Sequence, residues 1–290
     1  LVGRLITISI NNSDRRLFRW KINRKSKKIK IMSKYFNLKV KPLVKASTQG
    51  SAFAAGDVIA DWFAFDLPKG GALVKSVTAI VRGASGSANT ARDFILFFAN
   101  PKADGSAPGS LGTGNATADG TDYFNDLVTG IKLESTTDMG AASKGLDRVS
   151  IYTAGGGAGA DKYSNMILQG RPTLTKDGFN TVYVAIVAGA SLDWDFATTV
   201  ILRGAVTDDT TVTIPTDAGS NDDPNAEFVF NAGDVVHAAD DAVVGTVKSI
   251  GAFDTDNQPI TFEEGITADL ADDDVLFNAN PITLVLGFEK

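Results

Sequence analysis

The chain has 290 residues, 43% of them apolar and 9% aromatic, which is enough to fill one large or two modest hydrophobic cores. It contains no cysteine, and this excludes disulfides, thiolate metal sites and a cysteine nucleophile. Glycine is abundant, long amphipathic helical patterns are absent, and no run of eighteen apolar residues occurs. The sequence therefore predicts an all-β protein without a membrane-spanning helix.

The net charge of −6 hides a division along the chain. Residues 1–31 hold ten Lys or Arg and one Asp, residues 32–205 hold sixteen Lys or Arg and fifteen Asp or Glu, and residues 206–290 hold two Lys and eighteen Asp or Glu. The three segments therefore carry +9, +1 and −16. This predicts a basic leader (1–31), a β-sandwich domain (32–205) and a small acidic β-barrel domain (206–290).

The basic leader carries its charges after its apolar run, the reverse of a secretory signal. Its most basic string, residues 24–30, stands just before Met32. We interpret Met32 as the true start and the leader as upstream or disordered sequence. The alternative is a real basic arm that binds nucleic acid, although only Phe18 and Trp20 could stack on bases. Nucleic acid is not an expected partner of the rest of the chain.

Apolar runs separated by Gly- and Pro-containing turns predict short strands throughout the sandwich domain. The stretch 180–204 is interpreted as its central hairpin, because residues 182–187 are apolar on both faces and a second strand follows near 199–202. About eight strands joined by irregular loops suit a jelly-roll-like β-sandwich. The other predicted strands are 58–67, 73–82, 94–98, 149–152 and 165–169.

A glycine-rich insertion, residues 101–120, interrupts these strands, and residues 123–128 indicate a single helical turn. Loops of this length often carry function or contact a partner. After residue 206, short strands recur at intervals of roughly eight to twelve residues, which predicts a small barrel. These strands are 227–230, 235–237, 243–250, 260–262, 275–277 and 282–288. The sequence Ala-Gly-Asp-Val occurs at 55–58 and again at 232–235, a match too short to indicate duplication.

Catalytic chemistry has little to build on in this sequence. His237 is the only histidine and lies in an apolar strand. The sequence contains no Gly-x-Ser-x-Gly motif that could supply a serine nucleophile for it. A structural or surface role is favoured over a triad or a metal site. Gly155, Gly157 and Ala160 resemble part of a dinucleotide fingerprint, but no helical pattern follows, so a flexible loop is predicted. The sequence predicts no catalytic residues, no enzyme and no cofactor.

Aspartate-rich turns are the candidate metal sites, because Ca²⁺ prefers several oxygens supplied by flexible backbone. None has EF-hand spacing, and solvated turn residues are the plainer interpretation, so metal binding stays open. Asp193 and Asp195 flank Trp194 as in sugar-binding clefts, with solvent-facing carboxylates again the plainer interpretation. The candidate turns contain Asp208-Asp209, Asp222-Asp223, Asp240-Asp241 and Asp272-Asp273-Asp274.

The phrase GDVVHAADDAVVGTV at 233–247, followed by residues 260–266 and 271–276, resembles small β modules in tailed-bacteriophage structural proteins. The Gly-, Ala- and Thr-rich body is similar in style to virion proteins of marine phages. The resemblance implies a virion location and a capsid or capsid-decoration role. It also implies symmetric assembly with itself and other virion proteins, and no membrane partner. The chain departs from the main shell-protein family, since no stretch has the periodicity of a long spine helix.

The alternative function is an extracellular carbohydrate- or receptor-binding β-sandwich module. In that case Trp62 or Trp194 would be exposed as a sugar platform beside carboxylates, whereas buried tryptophans would favour the virion role. An enzyme would need a deep pocket with converging aspartates.

Overall fold

The computed structural model describes residues 34–290 except 50, 83–92, 121–122, 124, 136–148, 155–165, 172–174, 177–178, 193–198, 208–211 and 219–224. The described residues form sixteen strands and two one-turn helices, α1 (Ala46–Gln49) and α2 (Ala226–Val229). The strands are β1 (Tyr35–Val40), β2 (Val58–Pro68), β3 (Ala72–Arg82), β4 (Phe94–Ala99), β5 (Leu127–Leu133), β6 (Val149–Thr153), β7 (Met166–Leu168), β8 (Thr175–Lys176), β9 (Phe179–Ala188), β10 (Thr199–Ile201), β11 (Thr213–Ile214), β12 (Val235–His237), β13 (Val243–Ile250), β14 (Ile260–Phe262), β15 (Val275–Asn278) and β16 (Ile282–Glu289).

Eight of these strands form a sandwich of two antiparallel sheets. One sheet has the order β1-β16-β3-β6 and the other the order β2-β9-β4-β5, while β7 pairs with β3 and β8 with β9. If these eight strands alone are renumbered 1 to 8 in chain order, the two sheets have the orders 1-8-3-6 and 2-7-4-5. This is the strand order of a jelly roll, so the predicted jelly-roll-like β-sandwich is confirmed.

Alternating apolar residues fill the space between the two sheets. Leu96, Val184 and Leu286 are fully buried there, each from a strand in the middle of its sheet. Strand β9 is buried on its other face as well, because Ala185 and Val187 pack against the glycine-rich loop that follows β4. The insertion predicted at 101–120 thus covers the outer face of one sheet, and the apolar character of both faces of β9 follows from this.

The remaining strands form a small barrel with the order β10-β15-β12-β13-β14-β11. An isolated bridge between Leu202 and Thr216, with a 2.9 Å hydrogen bond from the Asp217 N–H to the Ile201 carbonyl, joins the first strand to the last and closes it. Its core contains Phe230 and other fully buried apolar side chains. The predicted small acidic barrel is confirmed, but it is inserted between β9 and β16 rather than following the sandwich.

The last strand, β16, does not belong to the barrel. It lies between β1 and β3 in the sandwich, where Leu284 and Leu286 are fully buried. In the opposite direction, β10 precedes residue 206 and belongs to the barrel, where it pairs with β15. Both strands therefore cross the predicted boundary between 205 and 206, and residues 33–290 form one compact unit.

The predicted central hairpin is wrong. Strand β9 pairs with β2 and β4 in the sandwich, whereas β10 pairs with β15 in the barrel. Hydrophobic period identifies a strand but does not identify its partner, and the two apolar segments bury their side chains in different cores.

Two local predictions also change. The strand predicted at 227–230 is α2, a single turn whose Ala226 and Val229 are buried at helical spacing. The helical turn predicted at 123–128 extends only to residue 126, and β5 begins at Leu127. The segment between β1 and β2 contains α1, with Thr48 and Gln49 buried. No helix in the described part of the chain is long and apolar enough to cross a membrane.

Candidate functional site

A buried carboxylate joins the barrel to the sandwich. Asp234 lies just before β12 and its side chain is only 1% exposed. One of its oxygens is 2.7 Å from Lys41 Nζ and the other is 3.0 Å from Arg82 Nη2, and both cations come from the ends of sandwich strands. The second oxygen also accepts bonds from the Asn231 N–H (2.9 Å) and Asn278 Nδ2 (3.2 Å). The carboxylate is thus paired and hydrogen-bonded throughout, the condition under which a buried charge is tolerated.

We call this set of residues, Lys41, Arg82, Asp234 and Asn278, the Asp234 clasp. Burial lowers the pKa of Arg82, and attraction by Asp234 opposes that effect. Because an arginine keeps its proton even when its pKa falls, the clasp holds a persistent charge pair between the two domains.

The segment between β1 and β2 adds neutral hydrogen bonds beside the clasp. The Val44 N–H donates to the Ala279 carbonyl (2.8 Å), and Gln49 Nε2 donates to the Asn278 carbonyl (3.0 Å). Asn280 accepts from the Val235 N–H (2.9 Å) and donates to the Lys41 carbonyl (3.2 Å). These bonds satisfy backbone groups on both sides of the contact, so the barrel is fixed to the sandwich by more than one pair of charges.

The repeated sequence Ala-Gly-Asp-Val marks a shared turn. In each copy the glycine has positive φ, +94° at Gly56 and +82° at Gly233, where a side chain would be strained. In each copy the aspartate accepts a hydrogen bond from the N–H three residues earlier, 2.7 Å at Asp57 and 2.9 Å at Asp234. Both turns lead directly into a strand, β2 or β12. The repeat therefore encodes a local strand-entry turn, and the second copy also supplies the clasp.

A cleft of about 700 Å³ lies beside the clasp, between the two domains. One wall is β2, in which register shifts between Val58 and Phe63 mark β-bulges, a device that redirects side chains at a sheet edge. The other walls are the segment 43–45, the loop 110–114, and the barrel residues His237 and Asp241. This cleft is the strongest candidate for ligand binding in the described part of the chain.

The sandwich side of the cleft presents one aromatic ring and one carboxylate. Trp62 is half-buried, its Nε1 donates to the Gly109 carbonyl (2.7 Å), and its ring meets Tyr123 edge-on at 5.4 Å. Asp61 is exposed and accepts from Ser110 Oγ (2.6 Å) and the Leu111 N–H (3.1 Å). Both side chains are therefore held in place by contacts that belong to the glycine-rich loop.

The barrel side of the cleft presents an imidazole without partners. His237 is 8% exposed, and neither ring nitrogen has a hydrogen-bond partner. Burial lowers its pKa, while the nearby Asp241 carboxylate raises it. Asp241 itself is occupied, because it accepts bonds from the Ser47 N–H (2.9 Å) and Oγ (2.6 Å). With its lowered pKa the imidazole is neutral at pH 7, and a buried polar group of this kind calls for a ligand, a water or a structural cost.

The carboxylates of the two described aspartate-rich turns bond to backbone. Asp240 accepts from the Ala242 N–H, Asp272 from the Gly204 N–H and Asp274 from the Ala271 N–H, so each carboxylate has a different backbone donor. Among the described residues, no group of three or more His, Asp or Glu side chains could hold a metal ion. The candidates Asp193, Trp194, Asp195, Asp208-Asp209, Asp222-Asp223 and Gly155 to Ala160 lie outside the described residues.

The sequence identified Trp62 and His237 but did not associate them, and it missed the clasp. Asp234 was visible only as a turn residue in the repeated phrase. Nothing in a single sequence pairs Asp234 with Lys41 or Arg82, which lie 193 and 152 residues away.

No protein-family model and no curated protein matches this chain. Two solved structures with some likeness to it are those of infectious bursal disease virus, Gx strain, and of deformed wing virus, a honeybee pathogen. The first shares 10% identity over 88% of this chain and 42% of that chain, with a TM-score of 0.16. The second shares 9% identity over 100% of this chain and 97% of that chain, with a TM-score of 0.13. The chain spans less than half the length of the first. Because both TM-scores are very low, the fold is assigned from the strand order alone.

Removal of the clasp carboxylate should destabilise the whole unit. Asp234→Asn leaves the largely buried Arg82 and the partly exposed Lys41 beside a neutral group. We expect the free energy of unfolding to fall by about 3 kcal/mol, the lower end of the range for a broken buried ion pair. The matched control is Asp256→Asn, which breaks the Arg203 pair at the barrel surface (2.5 Å, side chains 43% and 64% exposed). It should change the free energy of unfolding much less, because exposed ion pairs contribute little to stability. Urea denaturation measures both variants, and equal losses would contradict a structural role for the clasp.

Stability should also fall as the pH drops below about 6.5, the ordinary pKa of histidine. Because the pKa of His237 is lower in the folded chain, the unfolded chain binds the proton first as the pH falls. The free energy of unfolding then decreases by up to about 1.4 kcal/mol per pH unit until the pH reaches the folded pKa. The charged groups around the cleft are Lys45, Asp61 and Asp241. The lowered pKa of Asp241 acts only below its ordinary value near 4, outside this window.

Urea denaturation at pH 7.5 and pH 5.5 tests this expectation. The wild-type chain should lose stability between the two values, and His237→Phe should lose less. An equal change in both proteins would show that His237 is not the group responsible.

Proposed function

We propose that this chain is a virion structural protein of the capsid type, which acts by symmetric assembly and catalyses no reaction. The observation that carries the proposal is the strand order of a complete jelly roll with a second small domain inserted before its last strand. Jelly rolls occur in viral capsids but also in lectins and cupins, so function has to be argued from the surface and the site.

The interior of the sandwich supports a structural role. The space between its sheets is filled with buried side chains such as Phe65, Phe98 and Leu284, as in a subunit whose core serves stability. The cleft lies outside this core, between the domains, and contains one imidazole with no nucleophile paired to it. A general acid or base needs a partner within hydrogen-bond reach, and His237 has none.

The division of charge supports an orientation in the particle. Residues 33–198 and 282–290 hold sixteen basic and sixteen acidic residues, whereas residues 199–281 hold two basic and seventeen acidic residues. The sandwich is therefore neutral and the barrel carries −15. Neutral surfaces can pack against copies of themselves, while a strongly negative domain repels its copies and nucleic acid. We propose that the sandwich forms the lattice contacts and that the barrel faces outwards.

The sandwich has apolar side chains on its edge strands that suit such contacts. Leu127 and Val128 on β5 are 37% and 36% exposed, and Ile167 on β7 is 66% exposed. The two strands meet at one side of the sandwich, where Thr129 Oγ1 donates to Met166 Sδ at 3.5 Å. Exposed apolar residues grouped on sheet edges are typical of surfaces that pair with another chain.

The finer parts of the proposal are a tailed-phage origin and a place on the capsid as a decoration protein. Their support is the resemblance of residues 233–247, 260–266 and 271–276 to phage β modules. In the structure these residues make up much of β12 to β15, so the resemblance concerns the barrel rather than the sandwich.

Light scattering of the purified full-length chain tests assembly. We expect defined oligomers or shells, and we expect the double variant Leu127→Asp, Ile167→Asp to dissociate them, because two carboxylates would be placed in an apolar contact. The control is Phe253→Asp, which changes an exposed apolar residue of the barrel (44% exposed) and should leave assembly intact. A wild-type chain that stays monomeric at every concentration, or a double variant that assembles as the wild type does, would contradict the proposal.

A further inference from the structure

The interdomain cleft has the features of a binding site for a small polar ligand with an apolar face. It combines a positioned aromatic ring, three charged side chains and a buried imidazole without partners. We propose that it binds one or two rings of a neutral sugar. This inference does not depend on the proposed assembly function, because no cleft residue lies on β5 or β7.

Trp62 is the platform for the sugar ring. Its indole N–H is already bonded to the Gly109 carbonyl and its ring makes a T-shaped contact with Tyr123 at 5.4 Å, so the orientation of the ring is fixed before a ligand arrives. A preorganised aromatic ring loses little conformational entropy on binding. Its negative π-face attracts the slightly positive C–H groups on the apolar face of a sugar.

Hydroxyl groups suit the polar residues around this platform. A carboxylate can accept about four hydrogen bonds, so Asp61, with three protein donors on it, can accept one more from a ligand. Both ring nitrogens of His237 are buried away from solvent, so the hydroxyl groups would pair with Asp61 and Lys45 rather than with the imidazole.

Charge decides against anionic and purely apolar ligands. The cleft wall contains Lys45 against Asp61 and Asp241, and the barrel next to it carries −15, so an acidic sugar would be repelled. A hydrocarbon chain would remove water from three charged groups without replacing their hydrogen bonds, which is costly. The volume of about 700 Å³ lies within the usual range for small-ligand sites.

Saturation-transfer-difference NMR on the full-length chain tests the proposal with four probes: maltose, lactose, N,N′-diacetylchitobiose and the acidic sugar 3′-sialyllactose. We expect at least one neutral disaccharide to show transfer that is strongest at the C–H protons of one ring face, and we expect no transfer to the sialic acid ring. Trp62→Ala should weaken binding of the neutral sugar about tenfold, the size expected for one aromatic contact.

Two further variants keep the test independent of folding. Leu43→Arg changes a cleft residue that is 44% exposed, so it should block the cleft without disturbing the core, and it should also abolish binding. Phe253→Ala on the barrel surface should bind as the wild type does. The proposal is overturned if no neutral sugar binds, if only 3′-sialyllactose binds, or if a neutral sugar binds equally well to the wild type and to Leu43→Arg.

Discussion

The organisation of the molecule depends on one buried carboxylate. Asp234 reaches from the barrel to two cations at the ends of sandwich strands, and its burial makes that contact expensive to break. The barrel is consequently not a freely tethered domain. A fixed barrel also defines the cleft, because His237 and Asp241 line it opposite β2. The clasp and the neutral hydrogen bonds beside it therefore hold the two walls of the cleft together.

Chain connectivity reinforces this contact. Strand β16 occupies the middle of the first sheet, between β1 and β3, yet it comes after the entire barrel in sequence. The sandwich core stays incomplete until β16 is in place, so the ends of the barrel are anchored by β9 on one side and β16 on the other. Such long-range pairing has a high loop-closure entropy and slows folding. In return, the barrel is joined to the sandwich by two chain segments, one after β9 and one before β16.

Much of the local structure was predictable, whereas partner choice was not. Alternating apolar residues identified most strands, including β2, β3, β4 and β9, because burial on one or both faces leaves a clear period. Strand β5 was missed because Gly130 and an exposed first half weaken its pattern. The hairpin prediction failed, and Asp234 was seen only as a turn residue, since period and composition carry no information about residues more than a hundred positions away. Trp62 and His237 were singled out separately, but the cleft that unites them is a product of the tertiary fold.

The proposed orientation in the particle rests on the contrast between a neutral sandwich and a barrel that carries −15. Electron cryomicroscopy of assembled particles tests this most directly. We expect the sandwiches to form a continuous layer, with subunit contacts through the edges that contain β5 and β7, and the barrels to project from the outer surface. Barrels that line the interior next to packaged nucleic acid, or that form the lattice contacts themselves, would contradict it.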